Sequence, residues 1–313
     1  MEGLLYTRRA VRRHFARLGA AVLVLWGAGN ILGAVLVEII GNLIDMGSDA
    51  NMLLSSLSLW VLGLPLAWLI LRKRPTIAQA GSDERELRPV RGGTIPLYFL
   101  MVICLTTSAN LIGTGIEWLL SQLPGVSGGN ISDILAAYAL ELSPWTLFLY
   151  LVVIAPLCEE FFFRKLLLDR AAQYGHVPAM LFSGILFGAM HGNIAQSLNA
   201  AAAGIILAHV YLTYGKLWLC LVLHILNNTL SFVSLLAFRE LSETAYMNFT
   251  ALYGFIMIGL CIAGGVLLIK RAKKLRLLQR ASLPHFSRLS FGNWSVILFL
   301  VFCGLMVVST LLL

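Results

Sequence analysis

The chain has 313 residues, 59% of them hydrophobic and only 12% charged, with a mean hydropathy of +0.85. Ordinary globular domains are about 45–50% apolar and about 25% charged, so the composition excludes a soluble two-domain protein, a disordered chain and a disulfide scaffold. The net charge of +8 does not point to nucleic acid, because Lys and Arg punctuate apolar runs in the way that sets membrane orientation.

A spanning helix needs about 20 mainly apolar residues. Nine such runs follow in chain order, at 18–44, 52–71, 95–121, 145–168, 177–195, 197–214, 217–238, 249–269 and 292–313. They predict an all-α fold, a polytopic transmembrane helix bundle of about nine spans (eight to nine). The organisation expected is a basic tail (1–17), amino-terminal spans (18–144), a central unit (145–238) and carboxy-terminal spans (239–313) with a basic loop at 270–289. The first apolar run is long enough to span and no small-residue cleavage site follows it, so a retained anchor is expected rather than a removed signal. The loop 270–289 alternates basic residues with Leu275, Leu277 and Leu278, a pattern that fits either an interfacial helix on anionic lipid or a solvated loop. The segments 73–94 and 122–143 are polar and turn-rich. Cys104, Cys158, Cys220, Cys261 and Cys303 all lie in apolar runs, where free thiols act as small hydrophobes.

Charge tests this division. With nine spans, 22 of the 23 Lys and Arg fall on one side of the membrane, and only Arg239 falls on the other. The positive-inside rule makes the basic side cytoplasmic, which places the amino terminus inside and the carboxyl terminus outside. Short tails and compact loops lean towards the plasma membrane of a prokaryote.

An ionisable side chain at the centre of a spanning helix costs roughly 2.5–3.5 kcal/mol on insertion scales, so each needs a reason. Glu38 and Glu117 sit near the outer ends of their spans and can reach the interface, and His209 suits a hydrogen bond to a neighbouring helix. Three features remain. The fourth run spans only if it continues through Glu159, Glu160 and Arg164. Glu160 and Arg164 are i,i+4 neighbours and meet on one helix face, whereas Glu159 points elsewhere and is either protonated or partnered from another span. Pro156, one turn earlier, is expected to kink this helix. The second feature is Phe187 to His191, with Asn193 just beyond; the third is His224 to Asn228, one turn apart on one face. Helical rise puts Glu159 and His224 at similar depths of roughly 10–15 Å and His191 deeper, near 20 Å.

A carboxylate, two histidines and an asparagine converging in a membrane have the composition of a hydrolytic site. Glutamate can act as general base on water. Histidine can orient that water or protonate the leaving amine, and histidine with asparagine can hold an oxyanion.

The motifs E-E-x-x-x-R (Glu159 to Arg164), F-x-x-x-H (Phe187 to His191) and H-x-x-x-N (His224 to Asn228), in this order on separate helices, resemble those of the CAAX prenyl endopeptidase and bacteriocin-processing (CPBP) family of intramembrane glutamic proteases. The resemblance covers about 145–238 and makes that unit the catalytic core. It implies that Glu159 is the water-activating base, helped by His191, and that His224 and Asn228 form the oxyanion site. Glu160 and Arg164, with Phe187, would support the arrangement. The implied activity is an endopeptidase acting on a membrane-associated protein or peptide. No cofactor is expected; two histidines and a glutamate leave zinc open, although no H-E-x-x-H pair is present. The alternatives are an immunity or binding protein without turnover, and a transporter using the charges as a proton relay. Gly125-Val126-Ser127-Gly128 matches the G-x-S-G of rhomboid serine proteases, a short pattern of common residues that carries little weight.

Overall fold

A computed structural model describes residues 7–80, 87–126, 140–275 and 286–312. Among these the chain is helical, with no strand. The helices are α1 (Arg8–Gly41), α2 (Ser48–Leu71), α3 (Thr94–Leu120), α4 (Pro144–Tyr174), α5 (His176–Ala189), α6 (Ile194–Tyr214), α7 (Leu217–Glu240), α8 (Glu243–Leu275), α9 (Phe286–Phe291) and α10 (Trp294–Leu312). Eight of them are long and apolar enough to cross a membrane, so the protein is a polytopic helical membrane protein.

The run 177–195, the fifth of the nine, is shorter as a helix than expected, although it still carries the chain from the basic end of the bundle to Ala195, which meets Glu117 near the far end of α3. The helix there, α5, has 14 residues, about 21 Å at the helical rise against roughly 30 Å of hydrocarbon. Its sequence, His176 to Ala189, is apolar throughout, but Met190 to Asn193 form a turn, where Gly192 has φ +71°. That left-handed conformation suits glycine, and Asn193 then caps α6 by accepting from the Gln196 N–H at 2.8 Å.

Hydrogen bonds tie alternate helix ends together. At the basic end His14 of α1 meets the Arg170 carbonyl of α4 (3.1 Å), Arg170 donates to Leu71 O at the end of α2 (3.2 Å), and Arg88 N donates to Thr213 O at the end of α6 (3.0 Å). At the opposite end Ser143 N, just before α4, donates to Asp49 at the start of α2 (2.7 Å), and Arg239 of α7 reaches the Leu142 carbonyl.

One buried apolar cluster runs through the centre of the molecule from Val11 to Cys303, drawing on α1 to α7 and α10. Its middle is aromatic: Phe15 packs edge-on against Phe182 (5.0 Å between centroids) and Phe163 against Phe187 (5.0 Å). By contrast α8 leaves Leu252, Phe255, Ile256, Ile262 and Ile269 exposed, a surface suited to lipid and not to water. The close packing of α5 on α6 follows from glycine. A Cβ at Gly188 would stand 2.4 Å from Ser197 O, so only a residue without a side chain lets the backbones meet, as in small-xxx-small membrane contacts. Gly184 and Gly188 hold that spacing on α5.

Candidate active site

Glu159, Glu160 and Arg164 of α4 meet His224 of α7, while His191 stands on the far side of the Phe187 ring and Asn228 bonds to the α4 backbone. The stretch of α4 that carries the glutamates, Ala155–Glu160, lies between two π-helical segments, Phe148–Ile154 and Phe161–Leu168. Such segments recur at functional sites, and here the first has an identifiable cause. In the π pattern each N–H bonds five residues back, and Ala155 N donates to Tyr150 O. The next donor in line is position 156, a proline, which has no N–H. Leu151 O accepts instead from Asn228 Nδ2 of α7 at 2.9 Å. The helix irregularity expected at Pro156 is therefore a π segment repaired from a neighbouring span.

Glu160 and Arg164 make the i,i+4 pair, bidentate at 2.8 and 3.2 Å, with the glutamate 1% and the arginine 0% exposed. Arg164 also donates to Ser183 Oγ of α5 at 3.1 Å, and Ser183 donates on to Phe163 O at 3.2 Å. The guanidinium lies over the Phe187 ring at 5.5 Å. A charge this deep is tolerated only when its donors are matched, and those three contacts do so.

His224 stands between the two glutamates. Its Nδ1 is 2.9 Å from Glu160 Oε1 and its Nε2 is 3.5 Å from Glu159 Oε2. Glu159, left without a partner on its own helix, thus meets a polar group from another span. With Glu160 held as a carboxylate by Arg164, the proton on His224 lies on Nδ1. Its Nε2 is thereby turned towards Glu159, at a distance longer than an ordinary hydrogen bond.

His191 lies beyond the end of α5, in the turn, so its place is set by the turn and not by helical depth. Its Nδ1 is 3.0 Å from Phe187 O. A carbonyl only accepts, so Nδ1 carries a proton and donates it there. Phe187 separates the two imidazoles, edge-on to each at 5.3 and 5.8 Å. The turn is clamped from two other spans: Trp26 Nε1 of α1 donates to Met190 O (3.1 Å), and Glu117 of α3 accepts from Ala195 N–H (2.9 Å).

Several sequence expectations need adjusting. Glu117 does not simply reach the interface; it holds the start of α6. Asn228 is not wholly free for an oxyanion, since one of its two amide protons goes to Leu151. His209, outside the site, meets Tyr98 OH of α3 at 3.2 Å. Ser183, Trp26 and Glu117 were missed as supporting residues. Only Ser183 left a signal, being one turn before Phe187 on the same face of an apolar helix. Ser127 and Gly128 of the G-x-S-G pattern lie outside the described residues, as does much of the loop 270–289.

A zinc ion would need three protein ligands at about 2.0–2.3 Å and an open position. Among the described residues no three His, Cys, Asp or Glu side chains are grouped to hold a metal. His224 Nδ1 faces a carboxylate and His191 Nδ1 a carbonyl, contacts that a zinc-bound histidine also makes through its second ring nitrogen.

Residues 141–230 match the family model described as type II CAAX prenyl endopeptidase, Rce1-like. The similarity to the CAAX protease family is carried by this segment. It contains Glu159, Glu160, Arg164, Phe187, His191, His224 and Asn228, and it overlaps nearly all of the 145–238 unit. No curated protein and no solved structure matches the chain.

Proposed function

We propose that the chain is an intramembrane endopeptidase that hydrolyses a peptide bond of a membrane-associated protein or peptide, with Glu159 as the base that activates water. The observation that carries this reading is an asymmetry in the cluster. Glu159 is 9% exposed, against 1% for Glu160, 0% for Arg164 and 5% for His224, and it stands 3.5 Å from the His224 Nε2. The structural pair is sealed, while the carboxylate beside it keeps a small accessible area.

The steps balance without another reactant. Glu159 takes a proton from water as the water oxygen bonds to the scissile carbonyl carbon, and the carbonyl electron pair moves onto its oxygen. His224 Nε2–H and the second Asn228 amide proton stabilise that oxyanion. The tetrahedral carbon then expels the amine as the C–N bond breaks, and the proton held by Glu159 passes to the leaving nitrogen. His191, through its Nε2 lone pair, orients the water. Glu160 and Arg164 fix His224, and Phe187 spaces the two imidazoles. The catalytic core is 145–238, and the remaining spans support it. The basic helix ends, with the amino terminus, face the cytoplasm of a prokaryotic cell, and the carboxyl terminus lies outside.

The family description supplies the first substrate to try. Full-length protein reconstituted in bilayers is given a peptide ending in a farnesylated Cys-aliphatic-aliphatic-X tail, or the same peptide without the farnesyl group. Trimming by the wild type and none by Glu159→Ala supports the proposal. No trimming of either peptide or of a membrane-peptide panel by folded wild type would favour a binding protein or a transporter.

A further inference from the structure

At the basic end of the bundle, away from the glutamates, a cavity of about 480 Å³ is lined by Arg8, Arg9, Arg12, Arg288, Leu289 and Gly292. Four of its six lining residues are arginine. All four arginines are exposed, and among the described residues no carboxylate forms an ion pair with any of them. Like charges focused in one concavity repel one another, so this arrangement costs free energy unless an anion offsets it.

The platform beneath them is rigid. A Cβ at Gly19 of α1 would lie 2.4 Å from Val296 Cγ2, so α1 and α10 touch backbone to side chain. Ser295 Oγ lies 2.6 Å from Ala16 O of α1 and 2.9 Å from Asn293 Oδ1, its one proton shared between the two acceptors, and Asn293 Oδ1 also accepts from Val296 N–H at 3.2 Å. Ser295 and Asn293 are buried. Arg12 Nη2 donates to Gly292 O at 3.1 Å, across the mouth of the cavity. In the first turn of α1, Thr7 takes the Ala10 N–H; the N–H groups of Arg8 and Arg9 have no intrahelical partner, and the helix dipole adds to the positive field there.

We propose that this cavity binds the phosphate of an anionic lipid headgroup, seating it between the start of α1 and the α9–α10 turn. Orientation by the positive-inside rule requires only that basic residues lie on one side; it does not require four guanidinium groups around one cavity. Guanidinium forks suit phosphate oxygens, and basic pockets between spans hold lipid headgroups. The apolar start of α10, with Trp294 exposed beside the site, provides a surface for the acyl chains.

The test uses native mass spectrometry of the full-length protein in detergent with short-chain phosphatidylglycerol, short-chain phosphatidylcholine or sodium phosphate. About one phosphatidylglycerol per protein is expected, with no comparable retention of phosphatidylcholine. At about 1 kcal/mol per basic residue, Arg8→Gln/Arg9→Gln/Arg288→Gln weakens retention on the order of a hundredfold. Lys73→Gln/Lys216→Gln/Lys270→Gln, with the same change in net charge, retains it. The single variants Arg9→Gln and Arg288→Gln lose part of the affinity each, so the test stands even if the triple variant misfolds. Equal loss in the two triple variants would reduce the cavity to diffuse surface charge. Displacement of the lipid by millimolar phosphate would make it a free-phosphate site and overturn the lipid assignment.

Discussion

Replacing Glu160 by glutamine separates the two adjacent glutamates. Glu160 accepts from Arg164 at 2.8 and 3.2 Å and faces His224 Nδ1 at 2.9 Å, all in a fully buried setting. Glutamine keeps the volume, removes the charge and turns an N–H₂ donor towards one of two donors. Arg164, 0% exposed, is then an uncompensated buried cation, and breaking a buried pair from one side costs roughly 3–5 kcal/mol. Glu159 has one 3.5 Å contact and some exposure, so Glu159→Gln costs within about 1 kcal/mol. In soluble domains of 150–250 residues 1 kcal/mol moves Tm by about 2–4 °C, so the two variants differ on the order of 10 °C. Thermal unfolding of both in one detergent reads the difference. Glu160→Gln/Arg164→Met, which removes both charges, recovers part of the loss because the stranded cation is gone. Equal melting temperatures for Glu159→Gln and Glu160→Gln, or no recovery in the double variant, would refute the division of labour.

Asn228→Ala is expected to slow turnover about 100–1,000-fold, the usual loss for one oxyanion donor, and to destabilise by about 1–3 kcal/mol because the Leu151 carbonyl loses its donor; a kinetic loss with an unchanged melting curve contradicts the bond to Leu151. Trp26→Phe keeps the ring and loses the hydrogen bond to Met190 O, so kcat falls while folding changes by about 1 kcal/mol; unaltered kcat means the turn does not need that clamp. Reporter fusions at residues 80 and 130 report cytoplasmic and outside positions respectively, and the reverse result inverts the proposed orientation.

The membrane class and the all-helical fold were legible because composition and run length act on every residue at once. The i,i+4 link between Glu160 and Arg164 was legible because it is local, fixed by helical geometry alone. The family segment was found from three short motifs whose order on separate helices carries more information than any one of them. What the sequence hid was contact between distant positions. Nothing in the spacing says that His224 reaches both glutamates, or that Asn228 repairs a carbonyl orphaned by Pro156, because each depends on how α7 packs on α4. The run 177–195 read as a full span because hydropathy does not register where a helix stops; Gly192 and the Asn193 cap end it early. Trp26 and Glu117, on the first and third spans, support the His191 turn from more than 70 residues away in the chain.

The most direct test of the proposed chemistry is single-turnover cleavage by exhaustively chelated wild type and Glu159→Gln, with metal content measured on the same samples. Metal-free general-base catalysis by Glu159 predicts full activity for the chelated wild type without stoichiometric zinc. It also predicts a loss of about 100–10,000-fold in folded Glu159→Gln. Activity that dies on chelation and returns with zinc, or a Glu159→Gln protein that cleaves at the wild-type rate, would contradict it.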